Sequence, residues 1–234
     1  MLRLHVRAPF AAFRGFVAGS YRPTTPFITP SAAYGLLLNV AAIEMRRDDG
    51  SSAMTVTASD LPSCQLALGA IVIPQRAVLL QQLHNYPVGE SGRGHADATK
   101  GNKYNIQPVH REILVDVDGY ICLDGNDWLA ERVRDGLNAG ASFAPDGRRR
   151  YGLPFLGDNS LLLSDLAEDD APRPAYWFIL ADRSPEVRGE AARLQVWIDR
   201  AEMSRTESRL YERETLPQIE PPANAWTAIR PPGA

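Results

Sequence analysis

The chain has 234 residues, enough for one domain and an elaboration rather than for several domains. Its formal net charge is −3 and its pI about 5.8, so no overall basic balance marks it as a free nucleic-acid binder; contact with RNA would rest on local clusters of charge or on a larger assembly. Apolar residues make up 44% of the chain, and its 18 Pro and 18 Gly follow no period, which excludes collagen-like and low-complexity chains.

Cys64 and Cys122 are the only cysteines, too few for a disulfide scaffold or a zinc site, and are expected to be buried free thiols. No run approaches the ~18 apolar residues of a membrane helix. The opening residues 1–7 lack the apolar core of a signal peptide, so a cytoplasmic location is expected.

In chain order, Leu2, Leu4 and Val6 alternate with Arg3, His5 and Arg7, which predicts a strand with one apolar and one basic face, ended by Pro9. Residues 10–27 are rich in Gly, Pro and aromatics and read as a loop. Thr29 and Pro30 form a helix start, and Tyr34, Leu37, Leu38, Ala41 and Ala42 recur at helical spacing, predicting a helix that runs out near residues 44–46. Residues 47–62 are polar and turn-rich. Residues 65–73 read as an apolar strand stopped by Pro74. Residues 75–109 show little periodicity and are too long for an idle connection.

Residues 112–123 are expected to form two short strands around an Asp118-Gly119 turn. A helix is predicted from Asp127 to a Gly cap at Gly140. Leu161–Leu163 and residues 176–180 read as strands, separated by an acidic, Pro-rich interval. Residues 186–200 fit helix or strand, and the Pro-rich tail from Leu216 reads as extended. The order β–α–β–β–α–β is the ferredoxin-like plan, which small RNA-binding domains use.

Three clusters carry chemistry. In the first, Arg14 and Arg22 flank Phe13, Phe16 and Tyr21 ahead of a helix start; arginines hold phosphates, aromatics stack on splayed bases, and free amides at a helix start favour anions. An ordinary capped helix with aromatics packed under a loop accounts for the same residues. The second, in residues 75–111, offers Arg76, Arg93, Lys100, Lys103 and Arg111, three histidines (His84, His95, His110) and Tyr86 and Tyr104. The third is Arg148-Arg149-Arg150 before Tyr151. Asp116 with Asp118, and Asp169 with Asp170, read as a solvated strand edge and turn. No phosphate-binding loop, nucleophile elbow or metalloprotease motif is present, and neither a cofactor nor a metal is expected.

The block Pro26-Phe27-Ile28-Thr29-Pro30-Ser31-Ala32-Ala33-Tyr34-Gly35, preceded by a basic strand and an aromatic loop, resembles the N-terminus of the Cas-five family of CRISPR Cascade subunits (RAMP proteins), in particular its DevS-like branch. Residues 107–114, a Gln-x-x-x-Arg segment, and residues 151–157 are similar to later family stretches, although Asp158-Asn159 replaces the usual Cys or Arg there. The resemblance implies an α+β fold: a ferredoxin-like (RRM-like, RAMP) core over residues 1–165 with a protruding thumb hairpin at 75–111, then a small, partly β C-terminal elaboration and tail over 166–234.

It further implies a non-catalytic subunit that binds and caps the 5′ handle of the guide RNA (crRNA). Such a subunit joins a Cas-seven-type backbone filament to a large, Cas-eight-type subunit, and meets target DNA only indirectly. The residues expected at RNA are Arg14, Tyr21, Arg22, Arg76, Lys100, Lys103, Tyr104, Arg111, Arg149 and Phe155. Two rival readings stand beside it. One is a metal-independent endoribonuclease that processes precursor guide RNA with His84, His95 or His110 beside Tyr104 and Lys103. The other is an assembly protein without RNA contact.

Overall fold

The computed structural model describes residues 1–15, 21–47, 50, 56–87, 104–138, 153–181, 191–199 and 202–231; the side chains of 83–87, 104–107 and 203 lie outside the description. Its elements are β1 (Leu2–Ala11), β2 (Tyr21–Arg22), α1 (Pro30–Val40), β3 (Arg46–Arg47), β4 (Val56–Thr57), β5 (Cys64–Val72), β6 (Gln75–Pro87), β7 (Tyr104–Asp124), α2 (Asp127–Asn138), β8 (Asp165–Glu168), β9 (Tyr176–Leu180), β10 (Ala191–Trp197), β11 (Glu207–Arg213) and β12 (Thr227–Ile229). A ten-stranded sheet runs β10-β11-β9-β5-β7-β1-β8, with β12 added to β5 and both β2 and β6 added to β7. Its pairings are antiparallel apart from β2 on β7. The short β3–β4 pair stands apart.

The alternation of β1 sets the layers. Leu2, Leu4, Val6 and Ala8 are buried in the main core, with Leu36, Leu37, Leu38 and Val40 of α1 and Leu129 and Val133 of α2. Arg3, His5 and Arg7 take the other face. There His5 lies opposite Tyr120, and a second cluster forms from Ala67, Tyr120, Cys122, Ala175, Trp177 and Ala225. This second face is roofed by residues 169–175 and 216–226. The Trp177 indole N–H donates to the Gln218 carbonyl at 3.0 Å, Ala175 and Gln218 exchange two backbone bonds at 2.9 Å, and Arg3 reaches Glu220 at 2.7 Å. Burial pushes the Cys64 thiol to about 12 and the Cys122 thiol to about 11, so both stay protonated at neutral pH.

Local chemistry explains where elements begin. Thr29 caps α1, its hydroxyl accepting from the Ala32 N–H at 3.2 Å, and Pro30 takes the first turn. Asn126 caps α2 by accepting from the Leu129 N–H at 2.9 Å. The Gly140 cap expected for α2 lies outside the described residues.

Several expectations are corrected. The helix α1 ends at Val40, not near residue 45. Ala42 takes φ of +54°, and its N–H returns to the Asn39 carbonyl. The strand β1 runs through Pro9 to Ala11. The carbonyls of Arg3 and Arg7 point toward β8, so by alternation the missing N–H of Pro9 does too, beyond the last β8 pair at Arg7↔Asp165.

Residues 112–123 are one uninterrupted stretch of β7, with no turn at Asp118-Gly119. Gly119 is required there by packing: a Cβ would come within 2.4 Å of the Gly69 carbonyl and 2.6 Å of the Phe27 ring. Asp116 has φ of +57°, which breaks the simple alternation assumed for Asp116 and Asp118. Leu161–Leu163 form no strand beyond a single bridge from Leu162 to Phe155, whereas residues 191–197 of the ambiguous stretch are strand. The tail holds a 3-10 turn (Ala223–Ala225) and β12 rather than extended chain alone.

Residues 75–87 and 104–115, of which 75–109 read as aperiodic, pair as two arms of a hairpin from Gln75↔Val115 outward. The two edges of β7 are shared. One is occupied by β5 and then β6, the other by β1 and then β2. The root of the hairpin is thereby fixed to the middle of the sheet.

Candidate nucleic-acid interface

Three stretches far apart in sequence meet at the hairpin root. The chain leaves β1 at Ala11 and returns at β2. A bridge between Arg14 and Thr24 joins the two, with the Phe13 N–H on the Thr24 hydroxyl at 2.9 Å and the Thr25 N–H on the Phe13 carbonyl at 3.0 Å. The returning chain, β2, lies parallel to β7, with Tyr21 beside His110 and Arg22 beside Arg111.

Glu112 locks this arrangement. One carboxylate oxygen accepts from the Thr24 N–H at 2.9 Å and the other from the Tyr21 hydroxyl at 3.2 Å. Slight desolvation and then the Glu112 charge raise the Tyr21 phenol, against the lowering influence of the Arg76 guanidinium. The phenol therefore stays protonated and donating.

The third stretch is the turn at 153–163. Its Leu156 carbonyl accepts from the Ala12 N–H at 3.3 Å, and Gly157 (φ +80°) lies so close that a Cβ would sit 1.9 Å from the Ala12 carbonyl. Arg111 reaches across to Asp158 at 2.7 Å. Burial alone would raise the Asp158 carboxyl. The Ser160 hydroxyl and N–H and then Arg111 outweigh it and hold the group down at about 2.

Around this junction, Arg14, Tyr21, Arg76 and His110 are exposed, Arg22 is half-buried, and the Phe155 ring is 37% exposed. Arg111 is 17% exposed and its charge is matched by Asp158, so it acts first as a tie between hairpin and turn.

A sequence-family model described as "CRISPR-associated protein (Cas_Cas5)" matches residues 1–207. The chain belongs to the Cas5 family. No curated protein matches it. Among solved structures, one titled "CRISPR RNA-guided surveillance complex" is similar at a TM-score of 0.57 and 12% identity, covering 92% of this chain and 90% of that one. A second, titled "Crystal structure of Cas protein", aligns at a TM-score of 0.48 and 15% identity over 92% and 94% of the two chains. The first likeness supports the mainly antiparallel α+β fold of this Cas5 protein.

Of the residues expected at RNA, the Cas5 fold brings Arg14, Tyr21, Arg22, Arg76, Arg111 and Phe155 to one end of the sheet. Lys100, Lys103 and Arg149 lie outside the described residues, as do His95 and the side chains of Tyr104 and His84. Sequence reading passed over the two acids that assemble the junction, Glu112 and Asp158. The visible signal was an acid directly after His110 and Arg111, and an acid where the family resemblance leads one to expect Cys or Arg.

Elsewhere His5 pairs with Asp118 at 2.6 Å, and Arg173 lies 3.5 Å from the same carboxylate. Tyr120 donates to Asp169 at 2.8 Å and accepts from the Arg173 N–H at 3.0 Å. These groups knit the roof to the sheet. Among the described residues no cluster of metal-ligating side chains occurs, and no helix is long and apolar enough to cross a membrane.

Proposed function

We propose that this chain is the guide-RNA-capping subunit of a CRISPR surveillance complex, non-catalytic and cytoplasmic. It binds the 5′ handle at the hairpin root and joins the Cas-seven-type backbone to the large subunit. We read the antiparallel order β8-β1-β7-β5, threaded β1–α1–β5–β7–α2–β8, as the ferredoxin-like core. The arms of β6 and β7 beyond Gln75 are then the thumb.

The observation that carries this reading is the convergence of the three family-like stretches at the hairpin root, tied by Thr24–Glu112, Ala12–Leu156 and Arg111–Asp158. Around that root lie arginines for phosphates and rings for bases, the composition single-stranded RNA calls for. The opposite, basic face of β1 is roofed by the chain's own residues, so the RNA takes the loop end of the sheet rather than its open face.

Labelled repeat RNA incubated with the protein, with and without the backbone subunit, tests the proposal by retention and by cleavage. Retention without cutting, strengthened by the backbone subunit, is expected. Chelator-resistant cutting by the protein alone would make it a processing nuclease, and retention in neither condition would leave an assembly role.

A further inference from the structure

We propose that Glu112 and Tyr21 form a seat for one unstacked nucleobase that carries an exocyclic amino group, and that this seat discriminates against uracil. The inference rests on the RNA-binding reading above and adds a sequence preference to it.

The geometry comes from the strand pairing. Residues directly opposite on an antiparallel pair share a face. Glu112 is opposite Val78 and His110 is opposite Leu80. Tyr21 reaches the same face from the other edge of β7, as its bond to Glu112 requires. Val78 and Leu80 are 53% and 68% exposed and Tyr21 is 45% exposed, while Glu112 is half-buried among them. The result is a shallow floor of aliphatic side chains, an aromatic ring whose tilt is fixed through its hydroxyl, and a carboxylate at the centre.

That combination selects its ligand by chemistry. A carboxylate accepts hydrogen bonds and cannot donate. Its oxygens each have further lone-pair capacity beyond the Thr24 N–H and the Tyr21 hydroxyl. A phosphate placed there meets like charge, so the ribose-phosphate chain passes to the side where Arg14 and Arg76 lie and the base turns inward. Cytosine, adenine and guanine each present an amino group to the acceptor, whereas uracil offers a single ring N–H set between two carbonyl oxygens that the carboxylate repels. Aliphatic and aromatic surface supplies the stacking that any base accepts.

The test uses the intact chain, alone and with the backbone subunit, and labelled eight-nucleotide RNAs of cytidine only or uridine only. These differ in the amino group while both are pyrimidines. Wild-type protein is expected to retain the cytidine oligomer about 5-fold or more better than the uridine one. In Glu112→Gln the amide oxygen keeps the Thr24 N–H and the amide nitrogen faces the seat as a donor, so the preference is expected to fall or reverse toward uridine. Unchanged thermal melting would show that the loop is still held. Tyr21→Phe keeps the ring and is expected to retain binding with a weaker preference.

Equal retention of both oligomers by wild type, or a preference that Glu112→Gln leaves intact, overturns the seat while the RNA-binding reading stands. Retention of neither oligomer in either condition overturns both.

Discussion

Arg111 on β7 and Asp158 in the turn at 153–163 meet at 2.7 Å, across 47 residues of sequence, and fasten the turn to the root of the hairpin. The pair is mostly shielded, with 17% and 26% side-chain exposure. Arg111→Ala is expected to lower stability by about 1–2 kcal/mol, between the values for exposed pairs and for buried charged hydrogen bonds. Chemical denaturation of the two proteins under one buffer checks this.

The Asp158 carboxyl also sets a pH dependence. Its folded value of about 2 lies below the ordinary aspartate range. Its contribution is therefore fully present above pH about 4 and is lost as pH falls through about 2. Asp158→Asn should flatten the fall in unfolding midpoint over that window and leave its shape at neutral pH unchanged. A profile identical to wild type over the same acid window would count against the assignment.

Glycines separate packing from other demands. Gly119→Ala places a methyl against the Gly69 carbonyl and Phe27, and is expected to cost about 2–3 kcal/mol. Gly35 has nothing within 4 Å of its missing Cβ and sits inside α1, so Gly35→Ala is expected to stabilise the chain by about 0.5–1 kcal/mol. Melting curves for both variants decide the matter.

Tyr120→Phe removes a hydroxyl that donates to Asp169 and accepts from the Arg173 N–H. A loss of about 1–2 kcal/mol is expected, together with faster hydrogen exchange in residues 169–175, the part of the roof that the hydroxyl holds. Unaltered exchange there would show that the remaining ties, Arg173–Asp118, Ala175–Gln218 and Arg3–Glu220 among them, hold the roof without the hydroxyl.

If the junction grips RNA, each arginine at it should act through phosphate. Arg14→Ala and Arg76→Ala are each expected to weaken retention of every RNA alike and to reduce the salt slope by about 0.7 for each phosphate no longer neutralised. Arg111→Ala should act instead through stability. Retention measured at several salt concentrations distinguishes the two behaviours.

Local signals made the helix starts and β1 legible. Thr29 and Pro30 mark α1, and Leu2, Leu4 and Val6 mark the core face of β1. Misreadings arose where tertiary packing used a residue for a different reason. Asp118-Gly119 has the look of a turn, yet the glycine clears room for Phe27, and Pro9 is harmless because its nitrogen faces past the end of β8. The strand Gln75–Pro87 showed no alternation because Val78, Leu79 and Leu80 are exposed on both faces. At the site, Arg14, Tyr21 and Arg22 were readable as types. Glu112 was not, since its partner Thr24 lies 88 residues away and only the parallel pairing of β2 brings them together.

The 21 residues of β7 form a single beam that belongs both to the sheet centre and to the hairpin. From Val115 to Tyr104 it projects roughly 35 Å at the usual rise per residue. Along its β5–β6 edge the ladder stops at Val72↔Asp118 and resumes at Gln75↔Val115, with Pro74 and the left-handed Asp116 in the gap. On the opposite edge β1 pairs straight across that gap, through Ala8↔Val117, Phe10↔Val115 and Ala11↔Leu114. One edge of the beam therefore carries the continuity from sheet to hairpin, while the other leaves a local opening at the root.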